Sequence, residues 1–116
     1  MATAGPVLVD GVTLTAGAAD WTSDPLQVTP YGAVAIVWIV NGATGPDVAG
    51  SVQTQVTIDG VMWADHETAV AGDLVAASTS SAVVEIPGGV AQARFVCGSN
   101  TAQDVTVTVH AGQVSS

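Results

Sequence analysis

Few side chains in this chain could do chemistry. Asp59, Asp65, His66 and Glu67 form the one cluster of carboxylates with an imidazole. Hard cations such as Ca²⁺ take six or more oxygen ligands, so these side chains with backbone carbonyls could begin a site. No EF-hand-type loop accompanies them, and a solvated turn accounts for the cluster better. His66 and His110 lack the H-E-x-x-H spacing of a zinc enzyme. A Ser-His-Asp triad can be drawn from the serines of Ser78–Ser81, either histidine and an aspartate, but no G-x-S-x-G elbow fixes a nucleophile. Gly42-Ala43-Thr44-Gly45 and Gly88-Gly89 are not phosphate loops, since no lysine and no strand–loop–helix context follows them. There is no Asn-x-Ser/Thr acceptor. The expectation is a protein that is not an enzyme, with no catalytic residue, no metal ligand and no cofactor.

Cys97 is the single cysteine, which excludes an internal disulfide framework and a cysteine-based zinc site. It follows Arg94-Phe95-Val96, a strand-like run, and reads as a small buried hydrophobe; an intermolecular disulfide stays open. The tryptophans divide. Trp38 lies inside an apolar run and is expected in the core. Trp21, in Asp20-Trp21-Thr22-Ser23-Asp24-Pro25, reads equally as a core lid or a partner anchor. Trp63, after Asp59-Gly60, is expected to pack at one end of the fold. A sugar platform would need such rings exposed together.

The elements that position these residues follow from composition. Of 116 residues, 48% are hydrophobic and only 9% charged, with one Lys or Arg against ten Asp or Glu and a net charge of −9. Lysine is absent and Arg94 is the one strong base. Disorder is excluded by the apolar content. A conventional nucleic-acid binder is excluded because phosphate neutralisation needs Lys or Arg. The longest apolar run, Ala33–Val40, is far short of the ~20 residues of a membrane helix. Met1–Pro6 lacks the basic and apolar regions of a signal peptide, so the chain is expected to be soluble and made inside the cell. Residues 1–116 are expected to form a single β-sandwich domain, with 1–6 and 113–116 as extended tails.

Valine and threonine dominate, and helix formers are scarce. Turn signals recur at Asp10-Gly11, Asn41-Gly42, Gly45-Pro46, Asp59-Gly60, Pro87-Gly88-Gly89 and Gly98-Ser99-Asn100. The spacing predicts a hairpin of Val7–Val9 and Val12–Thr15 about Asp10-Gly11, and a short strand Leu26–Thr29. Residues 33–40, apolar on both sides, predict a central strand meeting little water. Ser51–Ile58 puts Val52, Thr54, Val56 and Ile58 on one face, and turns at Asp59-Gly60 into Val61–Trp63. Residues 68–81 read as a loop or irregular edge. Ala82–Ile86, Ala91–Cys97 and Asp104–His110 are further strands, the last with Val105, Val107 and Val109 inward. The fold class expected is all-β: an antiparallel, jelly-roll-like sandwich of about eight strands.

Free β-proteins usually guard sheet edges with charges, lysine above all. This chain has no lysine, and Asp10, Asp47 and Asp59 sit in turns. Its edges and apolar patches are therefore expected to be covered by other subunits, as a homo-oligomer (dimer or trimer) or in a larger assembly; an ordinary monomer kept in solution by its net charge is the alternative. Ser51–Trp63 and Ala91–Val109 resemble small β-sandwich virion proteins of tailed bacteriophages, most of all head decoration (cement) proteins of jelly-roll type. The resemblance spans roughly residues 33–110 and rests on pattern and composition. It implies a structural protein on the capsid exterior that binds the major capsid protein, with no catalytic residues. A tail, neck or fibre module of a phage is the alternative, and a carbohydrate-binding module a further one.

Overall fold

β-Branched residues fit a pleated surface better than a helix, and every regular element among the described residues is a strand. The computed structural model describes residues 7–14, 20–44, 46–98 and 105–114, with the backbone alone for 7–10. The strands are β1 Val7–Leu14, β2 Trp21–Thr22, β3 Leu26–Gln27, β4 Ala33–Asn41, β5 Ser51–Thr57, β6 Ala64–Ala71, β7 Thr79–Ile86, β8 Gln92–Gly98 and β9 Val105–Gln113. One sheet runs β1-β9-β4-β7; the other runs β2-β8-β5-β6, with β3 also on β8. All pairings are antiparallel.

β2 and β3 are two halves of one strand against β8. At the break, Pro25 has no N–H to offer, and Ser23 carries the pairing across: its N–H donates to Phe95 O at 2.9 Å, and the Phe95 N–H donates to Ser23 Oγ at 2.9 Å. Counted so, eight strand positions cross from sheet to sheet at every connection except β5–β6, which is jelly-roll topology. The all-β sandwich expected from the sequence is the fold observed.

The core lies between the sheets. β4 sends Ala33, Ala35, Val37 and Ile39 inward, β9 sends Val105, Val107 and Val109, and β8 answers with Ala93, Phe95 and Cys97. At the end where β4 leaves its sheet, buried Asn41 organises the β6–β7 loop. Its Nδ2 is surrounded by oxygens: Asp73 O at 2.9 Å, Asp73 Oδ1 at 3.0 Å, Val75 O at 2.8 Å and Ser78 Oγ at 3.3 Å. At the opposite end Gly88 is held to having no side chain, since a Cβ there would lie 2.2 Å from Pro30 O.

Several expectations need correction. Asp10-Gly11 does not close a hairpin. β1 is one strand along β9, and Asp10 and Gly11 together face Thr108 alone, as a bulge with Gly11 at φ 62° and its N–H donating to Thr108 Oγ1 at 3.2 Å. β5 ends at Thr57, so Ile58 is exposed, not inward. The strand after the turn is Ala64–Ala71, while Val61 and Met62 are exposed in the turn itself. Much of 68–81 is strand: β6 is an edge, β7 begins at Thr79, and the loop between is short. β4 is central, but one face meets water: Val34 and Trp38 are half-buried, Ile36 and Val40 exposed, so Trp38 is not core. Residues 113 and 114, expected within a C-terminal tail, belong to the fold. Gln113 pairs with Ala33, and the Val114 N–H donates to Gly32 O at 2.8 Å. Residues 1–6, 15–19, 45, 99–104 and 115–116 lie outside the described residues, Thr15 of the expected second strand and the Ser99-Asn100 turn among them.

Phe95→Ala should lower the unfolding free energy by about 3–5 kcal/mol, by cavity formation. Asn41→Ala should lower it by about 1–3 kcal/mol, by leaving the loop's oxygens without a donor. Urea unfolding measures both, and an Asn41→Ala variant as stable as the parent contradicts the organising role of that amide.

Candidate functional site

The structure disperses the residues that could have formed a reactive centre. Asp59 is spent on its own turn: one carboxylate oxygen accepts the Val61 N–H at 2.8 Å, the Met62 N–H at 2.9 Å and the Thr57 hydroxyl at 3.0 Å. Those bonds, that from Met62 foremost, hold its pKa below the ordinary carboxylate value. Asp65 accepts from Gln55 Nε2 at 3.1 Å on the outside of the second sheet. His66 turns the other way, and its Nε2–H donates to Glu85 O of β7 at 2.9 Å. Among the described residues no group of three or more His, Cys, Asp or Glu side chains is placed to hold a metal ion. Ser78 Oγ donates to Asp73 Oδ1 and to Val75 O within its loop. The Ser78 hydroxyl, then the Val75 N–H, depress the Asp73 carboxyl in the same way. His110 stands edge-on to the Trp38 ring at 5.0 Å, on a sheet face where Trp38 is opposite Ser81. No serine, histidine and carboxylate are brought together as a triad among these described contacts.

Cys97 is fully buried, and desolvation, with a smaller effect of Asp20, pushes its thiol up to about 12. The tryptophans do not share a surface. Trp21 sits on β2 opposite Cys97, Trp38 is on the outer face of the first sheet, and Trp63 lies under the Arg94 guanidinium at 4.2 Å from its ring centre. Arg94 Nε also donates to Gln55 Oε1 at 2.9 Å, so the one strong base is engaged within its own sheet. Gly42–Thr44 joins β4 to β5, and the Ala77 N–H donates to Gly42 O at 2.7 Å; Gly45 lies outside the described residues.

Two surfaces remain. The first is a groove of about 550 Å³ at the edge where β6 and β7 meet, lined by Tyr31, Val34, His66, Glu67, Glu85 and Val114 among others. A bulge shapes it. Gln53 of β5 faces Glu67, Thr68 and Ala69 of β6, Glu67 takes φ 61°, and Gln53 Nε2 donates to the freed carbonyls of His66 (3.3 Å) and Glu67 (3.1 Å). His66, paired with the buried Thr54 just before the bulge, points inward by simple alternation and so reaches β7. Sequence reasoning missed Gln53 and Tyr31. A lone glutamine in an alternating strand carries no sign that a bulge lies opposite it.

The second surface is the outer face of the β1-β9-β4-β7 sheet. Ile36 pairs with Val83 on one side and His110 on the other, and Val40 follows two residues on past Trp38. Ile36 is 38% exposed, Val40 40% and Val83 62%. Around them stand Thr13, Thr79, Ser81, Thr106 and Thr108. Among the described side chains of this face, Glu85 is the only one with a formal charge at neutral pH. The other sheet's outer face differs, presenting Gln53, Gln55, Asp65, Gln92 and Arg94.

A thiol-reactive dye should leave Cys97 untouched in the folded protein at pH 8 and label it fully in urea; rapid labelling without denaturant contradicts its burial. The lowered pKa of Asp59 has a definite sign. Its contribution to stability is complete above the unfolded value of 3.8 and is lost as pH falls through the lower folded value. The difference in melting temperature between parent and Asp59→Asn should therefore shrink from pH 7 to pH 3. A difference that holds constant would show that the charge does not brace the turn.

No protein-family model and no curated protein matches this chain. Among solved structures it is similar to one titled Family 16 Carbohydrate Binding Module-2, with 14% identity and a TM-score of 0.49 over 96% of this chain and 84% of that one.

Proposed function

We propose that the protein is a structural assembly module, not an enzyme. The assembly it serves is a bacteriophage capsid, on whose exterior it cements the major capsid protein. The observation that carries this reading is the first sheet's outer face, where Ile36, Val40 and Val83 stand exposed among hydroxyl side chains almost without charge. A lone β-protein normally keeps such a face charged or covered. The jelly-roll framework, the lack of a free basic patch and the resemblance of Ser51–Trp63 and Ala91–Val109 to decoration proteins are consistent with the same role. On a repeating lattice, many modest contacts add by avidity. A tail, neck or fibre position is the same role elsewhere on the particle.

The groove favours a second reading. Tyr31 is 58% exposed beside the carboxylates of Glu67 and Glu85, and an aromatic ring with nearby acceptors suits a sugar. The dispersal of the three tryptophans weighs against an extended sugar platform.

Capsids of the phage that encodes the chain, stripped and mixed with the purified protein, should bind it saturably in a sedimentation assay. No binding to capsids or tails contradicts the proposal. A glycan array should show no ligand; a hit abolished by Tyr31→Ala would install the carbohydrate reading instead.

A further inference from the structure

We infer that the outer face of the β1-β9-β4-β7 sheet is the contact through which two copies of this chain pair about a two-fold axis. The inference rests on the assembly reading and names the occupant of that face.

Each copy carries a net charge of −9. Beyond a Debye length of about 8 Å the repulsion between copies is largely screened, so two copies meet least resistance where the facing surfaces themselves carry little charge. The described carboxylates lie mostly away from this face: Asp59 and Asp73 in turns, and Asp65 on the edge strand of the other sheet. Glu85 stands at its margin, near the end of β7, beside the groove. A partner of opposite charge would be drawn to the acidic turns and would need no uncharged face. A second copy, bringing the same −9, meets least repulsion at one.

The face is also self-complementary. Ile36 and Val83 form a cross-strand pair, Trp38 and Val40 extend the apolar stripe along β4, and Thr13, Thr106 and Thr108 supply hydroxyls along β1 and β9. A two-fold rotation sets stripe on stripe, so that each contact occurs twice. Strands about 4.8 Å apart and rising about 3.3 Å per residue give four strands of this length a footprint of about 500 Å². Two copies then bury about 1,000 Å², the size at which specific interfaces begin. The turn residues Ile58, Val61 and Met62 are exposed too, but they lie on a tip too small to close such a contact.

Sedimentation equilibrium of the full chain should give a dimer at micromolar concentration, with association strengthened by added salt as the like charges are screened. Val83→Asp and Ile36→Asp should each raise the dissociation constant at least tenfold with unchanged circular dichroism, while Met62→Asp should leave it unaltered. Both face residues are exposed, so neither substitution disturbs the core. A parent chain monomeric at high concentration, or a dimer indifferent to both face variants, overturns the inference. A monomer that still sediments with capsids overturns this pairing and leaves the assembly reading standing; a dimer that ignores capsids and tails does the reverse.

Discussion

Strand β4 is apolar along nearly its whole length, yet a strand shows alternate side chains to opposite faces and can bury only one set between the sheets. Ala35, Val37 and Ile39 take the inner set and are almost wholly buried. With β9 and β7 hydrogen-bonded on its two sides, β4 is fixed in register by eight or more paired residues on each. A one-residue slip would exchange its faces, putting Trp38 into a core filled by Val37. The rest follows from this choice. The inner row meets Phe95 and Val52 across the sandwich, and the outer row of Val34, Ile36, Trp38 and Val40 is left to water or to another molecule.

The remainder of the molecule shows how strand edges are managed without lysine. Bulges interrupt the β1–β9 and β5–β6 ladders, and both use a residue in the left-handed region, Gly11 in one and Glu67 in the other. Bulges twist and blunt edges. The His66 ring covers Glu85 O on edge strand β7. Carboxylates that elsewhere would line the strands are engaged in turns, where Asp59 and Asp73 accept from backbone N–H groups. The result is a molecule whose described carboxylates stand mostly in turns and on one sheet, while the other sheet's described outer face carries only Glu85.

Much of the fold was legible. A continuous apolar run located the central strand, turn signals bounded β8, and alternation located β5 and β9, whose inward valines followed directly. What was not legible has physical causes. Asp10-Gly11 has the chemistry of a tight turn, but a left-handed glycine serves a bulge equally well, and the partner that decides is β9 at the far end of the chain. β6 reads weakly because its bulge breaks the alternation and because an edge strand needs little apolar content. Trp38 was misplaced because hydropathy marks a run as apolar without saying which half of it the sheet will bury. The candidate face was half legible in the same run: a strand apolar on both sides must turn one apolar row outward, though only the pairing with β7 and β9 shows that Val83 and threonines stand beside it.

The most direct measurement is hydroxyl-radical footprinting of the protein across a dilution series and on assembled particles. The account predicts strong protection of Val83, Ile36 and Trp38 in the concentrated or assembled state, while Met62 stays as reactive as in dilute solution. Equal oxidation of Val83 and Met62 under every condition would contradict it.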